Sequence, residues 1–132
     1  MLKTETRYAI DPEAAKGFDT DALRRHFHKD GLFAAGEIAL VYTHYDRFIL
    51  GSAVPGDGTL TLDHVAETGT PSFLDRREMG VLNIGEPGTV TVGGADHPVG
   101  KGEVLYIGMG AGPVAFSGPG RFYLTSAPAH RT

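Results

Sequence analysis

From Leu32 to Ser126 the sequence is cut into short β-branched and aromatic runs by Gly, Pro and Asp, and this punctuation limits the fold more than any other feature. Such runs suit a pleated, half-buried surface and are too short for self-supporting helices. The spacing predicts strands near Glu37 to Thr43, Arg47 to Val54, Thr59 to Leu62, Gly80 to Asn83, Thr89 to Val92, Val104 to Tyr106, Val114 to Phe116 and Phe122 to Ser126. Turn signals separate them at Pro55-Gly56-Asp57-Gly58, Pro87-Gly88, Gly93-Gly94, Gly100-Lys101-Gly102, Gly108 to Pro113 and Gly118-Pro119-Gly120. In Thr89-Val90-Thr91-Val92 the valines can face a core while the threonines face out, which predicts antiparallel pairs.

One segment reads as a helix, Asp21 to Lys29, with Asp19 or Thr20 as N-cap and Gly31 past its end. Leu23 and Phe27 lie four residues apart, and their expected role is to cover an apolar opening. Many strands and one peripheral helix leave a sandwich, a jelly roll or a small barrel. The hairpin from Thr89 to Val99, the turn Pro98-Val99-Gly100-Lys101-Gly102-Glu103 and the strand at Val104 to Ile107 resemble the second sequence motif of cupins. Glu103 stands where that motif has an Asp one place earlier, and the proline that usually follows the strand is absent. The expectation is an all-β, cupin-like jelly-roll β-barrel with one short peripheral N-terminal helix, a single domain over residues 1–132.

A net charge of −4 offers no basic surface for a row of phosphates, so nucleic acid is not an expected partner. With no cysteine there is no disulfide framework and no thiolate metal site, and the expected compartment is the cytoplasm. Met1 to Ile10 lacks the apolar stretch of a secretory signal, and no apolar run is long enough to span a membrane.

Six histidines are the first candidates for metal chemistry. His26 and His28 form the one His-x-His pair, but inside a helix residues two apart point about 200° from each other and cannot share an ion. His44, His64, His97 and His130 each lack a second histidine at ligand spacing, and His64 and His97 read as exposed. The densest charged cluster is Asp75-Arg76-Arg77-Glu78. Either an arginine there clamps the carboxylate of a sugar acid, with Glu78 as orienting partner or base, or the cluster joins Asp46 and Arg47 in a network that ties loops or subunits together. Gly108-Met109-Gly110-Ala111-Gly112-Pro113 lacks the lysine and helix of a phosphate loop.

Val41-Tyr42, His44, Asp46-Arg47, Gly51, Pro55, the block from Phe73 to Gly85, Gly88 to Val92, Leu105 to Gly108, Phe122-Tyr123 and Ala127-Pro128-Ala129-His130 together resemble the N-terminal half of the 5-keto-4-deoxyuronate isomerase family. The resemblance runs from about Tyr8 to His130, with the order of the motifs kept. It implies a two-barrel cupin protein that forms hexamers and interconverts a 4-deoxy-5-keto-uronate with a 3-deoxy-2,5-diketo acid in pectin breakdown. It also implies a zinc ion held by histidines and a glutamate in the second barrel, so none of those ligands falls on this chain. The expectation is therefore no catalytic residue, no metal ligand and no cofactor within these residues. His44, Arg47, Arg76, Arg77, Glu78 and His130 are the candidates for binding a small sugar acid or for subunit contacts in a homo-oligomer. A stand-alone, non-catalytic module binding an acidic sugar or a partner subunit is the alternative. A third reading places a metal on His44 with Glu78 or His130.

Overall fold

A computed structural model of the chain describes residues 1–130; Arg131 and Thr132, which end the predicted tail and domain, lie outside the described residues. The punctuated runs form strands β2 (Glu37–Thr43), β3 (Ile49–Val54), β4 (Thr59–Leu62), β5 (Arg77–Asn83), β6 (Gly88–Val92), β7 (Ala95–Val99), β8 (Val104–Ile107), β9 (Val114–Ser117) and β10 (Phe122–Pro128). An additional strand, β1 (Leu2–Arg7), precedes them. They build a six-stranded sheet in the order β1-β2-β3-β10-β5-β8 and a four-stranded sheet in the order β4-β9-β6-β7. All pairs are antiparallel except β1 with β2, which run parallel. The all-β architecture is thus the one the turn punctuation predicts, and the cupin-like barrel the one among its alternatives that the stretch from Thr89 to Ile107 resembles.

Period-2 alternation decides what each strand buries. On β10, Phe122, Leu124 and Ser126 are buried while Tyr123 and Thr125 are half-buried on the other face. On β9, Val114 and Phe116 point inward, and Leu60 and Leu62 of β4 meet them across the ladder. The interior is filled rather than open: Phe116 and Phe122 pack with ring centroids 5.4 Å apart, among Ile38, Leu40, Ile49, Met79, Val81 and Val90. Phe48, by contrast, is exposed, and Tyr123 lies on the outer face.

The helical part differs from expectation in four ways. Helix α2 covers Thr20–Phe27, capped by Asp19, whose carboxylate accepts the Ala22 N–H at 2.8 Å. It ends at His28, before Gly31, because the chain peels away there: Arg7 donates to the His28 carbonyl at 3.0 Å and Lys29 pairs with Glu5 at 3.7 Å. A second one-turn helix, α1 (Pro12–Ala15), starts at a proline behind Asp11, a start signal that the reading passed over. Leu23 and Phe27 also cover no opening. Both are exposed, because the strands fill the barrel with their own side chains and leave nothing for the helix to plug. Short 3-10 turns at Ala66–Thr68 and Phe73–Asp75 were not predicted either; the second buries Phe73 and Leu74 against the core.

β5 begins three residues earlier than predicted, since its ladder with β10 continues from Gly80 opposite Thr125 back to Arg77 opposite Pro128. The charged cluster therefore lies partly on a strand. The turn after β7 also departs from the expected chemistry. The Glu103 carboxylate folds back onto the Gly100 N–H, and the Glu103 N–H donates to the Gly100 carbonyl at 3.0 Å. The longer side chain, one position later, reaches the N–H that closes the turn.

Candidate functional site

At one end of the barrel the end of β2, the hairpin turn between β2 and β3, the start of β5, the end of β10 and the 68–76 loop converge on a cleft of about 490 Å³. Its lining includes Tyr42, Arg47, Arg76 and Arg77 together with Thr68, Thr70 and Asp75. Arg77 is in phase with Met79 and Val81 on β5, so its side chain enters the barrel end, where the residue is 5% exposed. Its Nε donates to Ser126 Oγ at 3.0 Å, and its Nη2 donates to the Ser126 carbonyl at 3.1 Å and to the Arg47 carbonyl. The guanidinium also lies over the Phe73 ring, 5.9 Å from the centroid. Burial, opposed by Tyr42 and reinforced by the Arg47 charge, moves Arg77 below the ordinary arginine value.

Arg47 is delivered by a turn with two consecutive left-handed residues, Asp46 at φ 55° and Arg47 at φ 57°. The Phe48 N–H donates to the Tyr45 carbonyl at 3.1 Å, closing a tight β2–β3 hairpin of the kind that matches strand twist. For non-glycine residues this backbone costs about 1 kcal/mol or more per residue. The turn aims the Arg47 carbonyl at Arg77.

Carboxylates do not balance this positive charge. The ion pairs among the described residues are Lys3–Glu37, Arg7–Glu5, Lys16–Glu13 and Lys29–Glu5, none of which involves the three cleft arginines. Asp75 lines the cleft but its Oδ2 accepts the Ser72 N–H at 2.9 Å in a capping box.

The structure separates the other candidates. Glu78 follows Arg77 on a strand and so faces the opposite way; on the outer surface it accepts the Tyr106 hydroxyl at 2.6 Å, which raises the tyrosine pKa. It neither orients an arginine nor reaches the cleft, and the predicted Asp46–Arg47–Arg76–Arg77–Glu78 network divides between two faces. His44 stacks on Tyr8 at 4.6 Å and meets Tyr42 edge-on at 5.4 Å, which braces the phenol of the cleft from behind. His130 is exposed after β10, where the Ala129 N–H donates to the Arg76 carbonyl at 3.0 Å. His26 stacks on Phe18, while His64 Nδ1 donates to the Thr70 carbonyl at 3.1 Å. His97 is half-buried rather than exposed, because it is in register with Val90 on the core-facing side of edge strand β7.

A metal shared by His44 and Glu78 does not fit this geometry. β2 and β5 are separated by β3 and β10, three strand spacings of about 4.8 Å, whereas ligand bonds are about 2 Å. Among the described residues no group of three His, Cys, Asp or Glu side chains converges to hold a metal ion.

What reading the sequence missed was Asn83, fully buried at the opposite end of β5. Its Nδ2 donates to the carbonyls of Glu86 at 2.9 Å and Val99 at 2.8 Å, and its Oδ1 accepts the N–H of Gly85 at 2.9 Å and of Arg121 at 3.1 Å. It pins three loops with one side chain. Its phase with Met79 and Val81 was the available signal.

No helix of the described residues is long and apolar enough to cross a membrane. No protein-family model matches the chain. In fold it resembles an RmlC-like cupin protein from Desulfovibrio desulfuricans, with a TM-score of 0.52 over 77% of this chain and 92% of that one at 16% identity. In sequence it is 58% identical over 132 residues to the 4-deoxy-L-threo-5-hexosulose-uronate ketol-isomerase of Agrobacterium fabrum, covering 100% of this chain and 48% of that protein. The protein of the same name from Kineococcus radiotolerans is 46% identical over 134 residues, covering 96% of this chain and 48% of its own length. With the fold of a cupin-type barrel, the chain matches proteins named 4-deoxy-L-threo-5-hexosulose-uronate ketol-isomerase along nearly its whole length and spans about half the length of these curated relatives.

Proposed function

We propose that the chain is the N-terminal, non-catalytic barrel of a 4-deoxy-L-threo-5-hexosulose-uronate ketol-isomerase, a scaffold for the aldose-ketose isomerisation rather than its catalyst. The observation that carries this reading is 58% identity along the full chain combined with coverage of 48% of the relative. Half of such a protein is conserved here as a barrel, and the chemistry belongs to the whole. The donor set required by a zinc ion, nitrogen and oxygen ligands converging within about 2 Å, is not formed by His44, Glu78 and His130. Zinc and the reacting sugar acid are accordingly assigned to a second barrel, in a cytoplasmic enzyme of pectin and uronate breakdown.

The scaffold role includes assembly into a homo-oligomer, a hexamer by resemblance. β8 is an edge strand whose outward Val104 and Tyr106 are 68% and 65% exposed, beside Leu82 of β5 and Tyr123 of β10. An exposed apolar face beside an unpaired edge is a surface that another copy can cover.

Co-expression with the unmatched half of the Agrobacterium fabrum protein tests the proposal. The two pieces are expected to elute together on size-exclusion chromatography and to turn over the uronate as a pair. Separate elution, with turnover unaffected by the chain, would refute the scaffold role.

A further inference from the structure

The cleft at the barrel end gathers three arginines that form no ion pair among the described residues. We propose that it takes a small polyhydroxylated carboxylate, a sugar acid, with its carboxylate against Arg47, Arg76, Arg77 and Tyr42 and its hydroxyls against Thr68, Thr70 and Asp75. The proposal concerns binding by this barrel and stands apart from the scaffold reading, because its readout is occupancy and not turnover.

The charge balance points to the anion. Arg77 is 5% exposed, yet its partners are neutral oxygens of Ser126 and Arg47. A buried cation without a counter-charge is costly, and one anionic ligand relieves that cost. The donor geometry agrees. The protein bonds of Arg77 use Nε and Nη2, which leaves Nη1 for the cleft that this residue lines, while the exposed residues Arg47 and Arg76 line the same cleft. Planar guanidiniums match the two oxygens of a carboxylate.

The remaining lining selects the class of anion. Asp75 holds Ser72 with Oδ2 and keeps Oδ1 for a donor such as a sugar hydroxyl. Thr68 and Thr70, whose hydroxyls lie 3.2 Å apart, present further oxygens. A carboxylate there repels a dianionic phosphate and accepts from a hydroxylated chain. A cleft of about 490 Å³ lies within the usual range for small-molecule sites. The strained turn at Asp46 and Arg47 supports the assignment, since left-handed non-glycine residues persist where surrounding structure enforces a particular presentation.

The test is a titration of the isotope-labelled chain with D-galacturonate, followed by NMR. Saturable shifts are expected at Thr68 to Thr70 and at the arginine Nε–H groups, with a dissociation constant of about 1 mM or tighter. D-galactose should produce none, and inorganic phosphate should bind more weakly than galacturonate. The double variant Arg47→Gln/Arg76→Gln should weaken binding about tenfold or more with the rest of the spectrum unchanged. Arg76→Gln alone, at an exposed position, should weaken it measurably and keeps the test valid if the double variant does not fold. No saturable shift, equal binding of galactose or of phosphate, or unchanged affinity in a folded arginine variant would each overturn the assignment.

Discussion

Asn83→Leu is expected to destabilise the barrel by about 4 kcal/mol, enough to unfold a large fraction of a domain of ordinary stability. Leucine has the volume to fill the site but none of the chemistry. Its introduction leaves the Gly85 and Arg121 N–H groups and the Glu86 and Val99 carbonyls without their buried partner. An abandoned buried polar group costs about 1–3 kcal/mol, and only some of the four can turn to water. Urea denaturation followed by circular dichroism measures the loss. A midpoint within experimental error of the parent would show that the loops beyond β5 hold without this residue.

Asn83→Asp separates hydrogen bonding from volume. Its carboxylate keeps the bonds from Gly85 and Arg121 but sets a charged oxygen against two carbonyls, so its pKa in the folded state rises above the unfolded value near 3.9. The charge-dependent part of the penalty is therefore full above the folded pKa and disappears below the unfolded one, while the single O–H of the neutral acid still serves only one of the two carbonyls. In the same urea experiment the gap between Asn83→Asp and the parent should narrow as the pH falls through that window.

The second large effect is expected at Gly51→Ala, whose added methyl is smaller than any of its neighbours. Gly51 lies between Leu40 of β2 and Leu124 of β10 in the ladder. A Cβ there would overlap the Ala39 carbonyl oxygen and lie 2.9 Å from Leu40 Cδ2. Backbone cannot swing aside as a side chain can, so β2 and β3 must part. The expected cost is about 3 kcal/mol, at the upper end of overpacking effects. Thermal unfolding of Gly51→Ala beside Gly58→Ala, where no heavy atom lies within 4 Å of the added carbon, isolates the clash from the loss of glycine entropy. Equal midpoints for the two variants would contradict the role given to Gly51.

How much of this was legible beforehand depended on whether a residue announces itself by phase. Val90 alternates with threonines, and that alternation placed it in the core; the structure buries Val114, Phe116, Phe122 and Leu124 with the same period. β1 carries no such pattern. Its residues are Leu-Lys-Thr-Glu-Thr-Arg on an exposed edge, held by parallel pairing to β2 and by pairs such as Lys3–Glu37. α2 was found by its cap, but its partner was misjudged, because a count of apolar residues cannot say whether a barrel already fills itself.

The arginine cleft was half legible. Arg47, Arg76 and Arg77 stood out as a charged group, and carrying the alternation of Met79 and Val81 two residues back would have placed Arg77 inside and Glu78 outside. Their meeting with Tyr42, Thr68 and Thr70 depends on strands and a loop distant in sequence, and the topology that joins them is a property of the two sheets.

The reading of the chain as a scaffold without the isomerase centre is tested most directly by assaying the purified 132-residue chain alone for ketol isomerisation of the uronate, with its zinc content measured on the same sample. The account predicts no turnover above the buffer rate and no stoichiometric zinc. Turnover by this chain unaided, accompanied by one zinc per chain, would contradict it.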